Sequence, residues 1–135
     1  MKSKIKVGES AFLTTTVTRD NVASAVKSGL LDVFATPCMI ALMENAADAC
    51  IAEHLEAGES SVGTRIEVTH QRASQIGSQI TAVATVLSVT GNKIEFSLVA
   101  RDALKREIGR GTHARAVIDV ARFMARFQLE SSLSH

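Results

Sequence analysis

Apolar and polar positions change rhythm along the chain, and the changes predict its elements. "SAFLTTTVT" (10–18) is β-branched and partly alternating, which predicts a strand. Residues 20–35 are mixed, contain Gly29, and read as a loop with room for one helical turn. Thr36 and the sole proline, Pro37, follow. Thr favours the N-cap and Pro the first helical position, so a helix is expected to start there. It should run to about Leu55 and stop before Gly58, a suitable C-cap. Met39, Ile40, Leu42, Met43, Ala46, Ala47 and Ile51 make this helix apolar nearly all round, which predicts deep burial.

From Ser61 onward the period falls to two. "TRIEVTHQR" sets Ile66, Val68 and His70 on one strand face and Arg65, Glu67 and Thr69 on the other. "QITAVATVLSV" predicts the next strand, and "TGN" (90–92) a turn before "KIEFSLVA". The last strand, "EIGRGTHARAVIDV", is long, and Gly109 and Gly111 mark a bulge or a close backbone approach. The tail from 121 to 135 is a short amphipathic helix or a frayed end. One long helix followed by a run of antiparallel strands is an α+β pattern, with the helix packed on one face of the sheet. The long final strand invites edge pairing between two subunits, hence a dimer.

Composition narrows the class. At 135 residues the chain suits a single domain, 1–135, with 46% hydrophobic and 21% charged residues. A formal charge of +1 and the absence of Trp and Tyr argue against nucleic acid as a partner. No apolar run approaches the roughly 18 residues that span a bilayer, so no membrane association is expected. "MKSKIKVGES" has no apolar stretch behind its basic residues, so no signal peptide is read. Cys38 and Cys50 fall on one predicted helix, about 18 Å apart at ~1.5 Å per residue, beyond disulfide reach. Reduced thiols in the cytoplasm are the simplest expectation.

Glu44 is the first candidate for chemistry. It projects in nearly the direction of Ile40, Ala47 and Ile51, where a carboxylate loses hydration and its pKa rises unless a partner compensates. An acid satisfied by an amide or an arginine is the plain alternative, yet acids are rarely buried without reason. His70 faces inward from its strand, and with Glu44 supplies a general base and an acid or orienting partner. Thr36 is explained by capping alone, but free N–H groups and the helix dipole at the same place can hold an oxyanion. Cys38, two residues on, is a weaker candidate nucleophile.

Gly63 and Thr64 precede the His70 strand, where a glycine lets a substrate approach the backbone. Lys105, Arg106, Arg110 and Arg115 lie on or near the last strands and would matter only if they line a pocket. His54 and His113 have no evident partner in the sequence. No metal-ligand spacing, Walker loop or dinucleotide fingerprint is present.

Four blocks together carry a resemblance: "VGE" (7–9), "VFATPCMIALMENAA" (33–47), "GTRIEVTH" (63–70) and "EIGRGTHARAVI" (107–118). In this order and spacing they resemble the fluoroacetyl-CoA thioesterase-like family of hotdog-fold proteins, over nearly the whole chain to about residue 125. The resemblance implies a curved antiparallel sheet wrapped around a long central helix, dimerising edge to edge. It implies catalytic roles for Thr36, Glu44 and His70, a glycine near the substrate carbonyl at Gly63, and a pocket arginine at Arg115. It implies no cofactor, coenzyme A entering as part of the substrate. The segment "NVASAVKSGLLD" (21–32) departs from the family by lacking the aromatic lid of the fluoroacetate-specific member.

The expected function is therefore hydrolysis of a small acyl-CoA to free acid and CoA, by a homodimer or a tetramer of two dimers. Glu44 would activate water or attack directly, and His70 would act as acid and base. A non-catalytic acyl-CoA-binding module is the alternative, which would bind CoA esters without turnover. An enoyl-CoA hydratase is the other, which would consume enoyl-CoA without releasing thiol.

Overall fold

A computed structural model of the chain describes residues 1–133. Five strands form one antiparallel sheet: β1 (Ser10–Thr16), β2 (Glu59–His70), β3 (Gln79–Thr90), β4 (Lys93–Arg101) and β5 (Glu107–Asp119), in the order β1-β3-β4-β5-β2. A short helix α1 (Ala23–Val26) interrupts the first loop, α2 (Thr36–Ala52) is the central helix, and α3 (Val120–Leu133) closes the described chain. The expected α+β hotdog architecture is present, with α2 held against the curled sheet.

The packing follows from side-chain size. β3 buries Ile80, Ala82, Ala84 and Val86, and β4 buries Ile94, Phe96, Leu98 and Ala100, one residue in two as a strand requires. The alanines of β3 meet Ala46 and Ala47 of α2 in one core cluster with Met39, Met43 and Ile51. Small residues on both elements let the helix approach the sheet closely, while Phe34 and Phe96 fill the remaining volume. Gly109 and Gly111 serve close approach. A Cβ at Gly109 would stand 2.5 Å from Met39 Sδ, and one at Gly111 would collide with the Glu67 carbonyl oxygen of β2.

Several boundaries move. Thr36 is the first helical residue and not the N-cap, which is Ala35 and makes no side-chain cap. The Thr36 hydroxyl is thereby freed for another partner. The helix ends at Ala52, and Gly58, with φ +87°, belongs to the turn into β2. The tail is helical as far as Leu133, residues 134 and 135 lying outside the described part, although α3 buries none of its residues.

The largest departure concerns β2. Ile66 is 36% exposed and Val68 only half-buried, although the period-two pattern predicts an inward face. β2 is an edge strand that pairs with β5 on one side alone, and residues 63–67 are exposed. Within one chain that alternating face is covered only in part: Val68 packs against the core, while Ile66 is left exposed.

Candidate functional site

Helix α2 offers its chemistry in two places. At its start, Thr36 Oγ1 lies 2.8 Å from His70 Nδ1 at the end of β2. The His70 ring is half-buried, and its Nε2 is buried with no hydrogen-bond partner. Burial holds the imidazole below its ordinary 6.5, against a weaker opposing contribution from the Arg72 backbone, so His70 is neutral at pH 7. A cleft of about 210 Å³ opens beside the pair, lined by Ala23, Ser28, Val33, Thr36, His70 and Gln71 among others.

Two turns further along α2, Glu44 stands over β2 and β5. Its carboxylate is 39% exposed, so the deep burial expected from its apolar stripe does not occur within one chain. Glu44 Oε2 is 3.6 Å from Arg115 Nη1 and 3.9 Å from His113 Nε2. Gly63 lies beneath it: a Cβ there would sit 2.7 Å from Glu44 Oε2 and 3.1 Å from His113 Cε1. The glycine is needed because a side chain would displace the carboxylate. At position 63 the exposed backbone and the acid meet at a surface a substrate can reach.

Arg115, only 8% exposed, is held from several sides. Its Nε donates to Ser61 Oγ (2.8 Å), its Nη2 to the Ser61 carbonyl (3.1 Å), and its Nη1 to His113 Nε2 (3.1 Å). Ser61 Oγ in turn donates to Asp48 Oδ1, whose carboxylate is also 3.7 Å from Arg115 Nη2. Asp48 follows Glu44 by four residues and so shares its helix face. Ser61, Asp48 and His113 were not singled out from sequence. The i, i+4 acid pair and the alternate positions 113 and 115 of β5 were the available signals.

Glu44 and His70 therefore do not form one cluster inside a chain. The eight residues from Thr36 to Glu44 span about 12 Å of helix axis at ~1.5 Å per residue. Each acts with different neighbours, His70 with Thr36 and Glu44 with the Arg115 group.

The remaining candidates fall outside both clusters. Thr64 uses its hydroxyl on the Ala114 carbonyl, 3.2 Å away, where the β2–β5 register shifts between Gly63 and Arg65. Arg106 pairs with Asp102 and Arg110 with Glu107, while Lys105 takes a left-handed turn position with φ +64°. Burial pushes the Cys38 thiol up, opposite to the activation a dipole-assisted nucleophile needs. His54 does have partners: Ser3 Oγ at 2.7 Å and Glu9 Oε2 at 2.8 Å tie the N-terminal segment to the end of α2. Among the described residues, no group of three or more His, Cys, Asp or Glu side chains is arranged to hold a metal ion. No helix there is long and apolar enough to cross a membrane.

Known proteins resemble the chain in sequence and in fold. A family model described as fluoroacetyl-CoA-specific thioesterase matches residues 17–121. A fluoroacetyl-CoA thioesterase of Streptantibioticus cattleyicolor is 44% identical over 95 residues, covering 70% of this chain and 68% of that protein. A crystal structure of a fluoroacetyl-CoA-specific thioesterase variant superposes with a TM-score of 0.88 at 35% identity, covering 96% of this chain and 99% of that one. A thioesterase superfamily member from Thermus thermophilus matches with the same TM-score of 0.88 at 27% identity, covering 96% and 95%. With more than half its length matched by that model, the chain belongs to the fluoroacetyl-CoA-specific thioesterase family.

Proposed function

We propose that the protein hydrolyses small acyl-CoA thioesters to a free acid and CoA, in a site that two copies of the chain build together. The observation that carries this reading is Glu44. Its partially exposed carboxylate stands against Gly63, balanced by Arg115 at 3.6 Å without a direct hydrogen bond. Lone pairs left open beside a bare backbone suit a general base acting on water next to a bound carbonyl.

In the reaction, Glu44 takes a proton from water as its oxygen bonds to the thioester carbon. Collapse of the tetrahedral intermediate breaks the C–S bond, and a proton passes to the departing sulfur. His70, neutral at rest and with its ring oriented by Thr36, would take up the proton that Glu44 removed from water and pass it to the sulfur, which returns Glu44 to the carboxylate. The developing oxyanion would be held by a backbone N–H beside Gly63, where one donor typically contributes about 10²–10³-fold; at the start of α2 Pro37 has no N–H, and those of Cys38 and Met39 already bond the Ala35 carbonyl. Arg115 acts on Glu44 rather than reaching for the substrate: Ser61 and His113 take three of its five N–H groups, and Nη1 and Nη2, which carry the other two, stand beside Glu44 and Asp48.

The open edge of β2 supports the homodimer. Antiparallel pairing about a two-fold axis near Ile66 would set Gly63 of one chain opposite the partner's Thr69, with the partner's His70 adjacent. Glu44 of one chain and Thr36–His70 of the other would then complete a site that neither holds alone. Such pairing would also cover Ile66 and Val68. Cys38 and Cys50 are free thiols, which suits a cytoplasmic protein.

Thiol release from a panel of short, medium and aromatic acyl-CoA esters, with Glu44→Gln in parallel, tests the reading. Release that falls at least about a hundredfold in the variant is expected. Tight CoA-ester binding without release from any ester would favour a sensing module instead.

A further inference from the structure

His113 lies behind Glu44 and does not touch the exposed surface; it is 1% exposed. Its protonation state follows from its partners. Nδ1 is 2.7 Å from the Arg65 carbonyl oxygen, which only accepts, so Nδ1 carries the proton. Nε2 is 3.1 Å from Arg115 Nη1, which only donates, so Nε2 presents its lone pair. Only the neutral Nδ1–H tautomer satisfies both bonds. Burial, aided by the Arg115 charge and opposed by the Arg65 carbonyl and the Glu44 charge, holds the ring below its ordinary 6.5. The Phe96 ring, its centroid 6.5 Å away, packs on the remaining side.

This arrangement has a consequence for the acid. Arg115 Nη1 is directed to the imidazole, while Glu44 Oε2 stays 3.6 Å from the same nitrogen. The guanidinium thus neutralises Glu44 without occupying its lone pairs. With the imidazole gone, the Nη1 N–H it accepts would be a buried donor without a partner, and the guanidinium, no longer fixed on that side, would be free to close on the Glu44 carboxylate. A direct charge-assisted bond would form and draw the acid off its task.

We propose that His113 is a positioning residue for Glu44: by accepting a hydrogen bond from Arg115, it keeps the guanidinium near the carboxylate but prevents it from clamping it. The inference rests on Glu44 being the reacting acid.

Three substitutions test it by thiol release from the preferred acyl-CoA ester, with Glu44→Gln measured alongside. His113→Leu keeps the packing against Phe96 and removes both bonds. His113→Asn is polar but too short to span both partners. His113→Gln reaches the Arg65 carbonyl with its NH₂ and accepts from Arg115 with its oxygen. Leu and Asn variants should lose about ten- to a hundredfold in kcat with KM within about twofold, since sub-ångström misplacement costs rates of that order. Gln should recover most of the loss. If the Leu variant folds poorly, the Asn variant stands in its place. A folded Leu or Asn variant with wild-type kcat, beside an inactive Glu44→Gln, would overturn the role of His113 alone. Normal turnover in Glu44→Gln would overturn the general-base reading itself.

Discussion

Gly63 shows how one missing side chain sets a function. The space a Cβ would take is already held by Glu44 Oε2 at 2.7 Å, the mobile end of a flexible side chain. Gly63→Ala should therefore fold with nearly wild-type stability and lose most of its turnover, because the carboxylate moves and the strand does not. Thermal melting with thiol release on one sample checks this, and full activity in the alanine variant would refute it. Glu44 and His70 were visible in the sequence because their residue types are unusual for their positions, whereas Thr36 read equally well as a cap and Gly63 as a turn. The partners of His113 were not visible: a histidine's tautomer depends on which acceptor and donor the fold brings to its two nitrogens. The two imidazoles also predict a pH dependence of stability. Burial lowers the pKa of both His70 and His113, so the unfolded chain takes up protons at about the ordinary 6.5 and the folded chain only at lower pH. Their contribution to stability is full above that value and is lost as pH falls below it. Urea midpoints should fall from pH 7.5 to pH 5, and fall less in His113→Gln. Midpoints flat across that range would exclude the effect.

Among the elements, β2 was placed correctly and its environment was not. Alternation of Ile66, Val68 and His70 records that one face is meant to be covered, but a strand pattern carries no information about which molecule covers it. The pairing of β2 with β5 is tight: a Cβ at Gly111 would collide with the Glu67 carbonyl and lie 2.7 Å from Val68 Cα. Backbone cannot yield there as a side chain can. Gly111→Ala should cost about 1–3 kcal/mol in urea unfolding, in the range of overpacking, and an unchanged midpoint would argue against this contact. The helix α2 likewise followed its apolar pattern, while its first turn did not follow capping preference. Thr36 sits one position inside the helix, where its hydroxyl is committed to His70.

For the whole molecule, the separation of Glu44 from Thr36 and His70 makes a sharp prediction. If two chains share each site, equal amounts of Glu44→Gln and His70→Ala chains, each inactive alone, should recover about a quarter of wild-type activity after subunit exchange. Half the dimers are then mixed, and each mixed dimer holds one intact site of two. No recovery, with exchange demonstrated by mass, would place the whole site within one chain. What the sequence determined by itself was local: strand and helix periods, the α+β class, and the side chains whose chemistry is out of keeping with their neighbours. Propensity and side-chain direction act over a few residues, so a linear pattern records them. Tertiary structure alone decided that Arg115 stands beside Glu44, that His113 is fixed by the Arg65 carbonyl with its other nitrogen toward Arg115, and that β2 ends as an edge strand. Those depend on contacts between residues some 50 to 70 positions apart in the chain, Arg65 with His113 and Glu44 with Arg115, which only the register of β2 on β5 and the seating of α2 bring within a few ångströms.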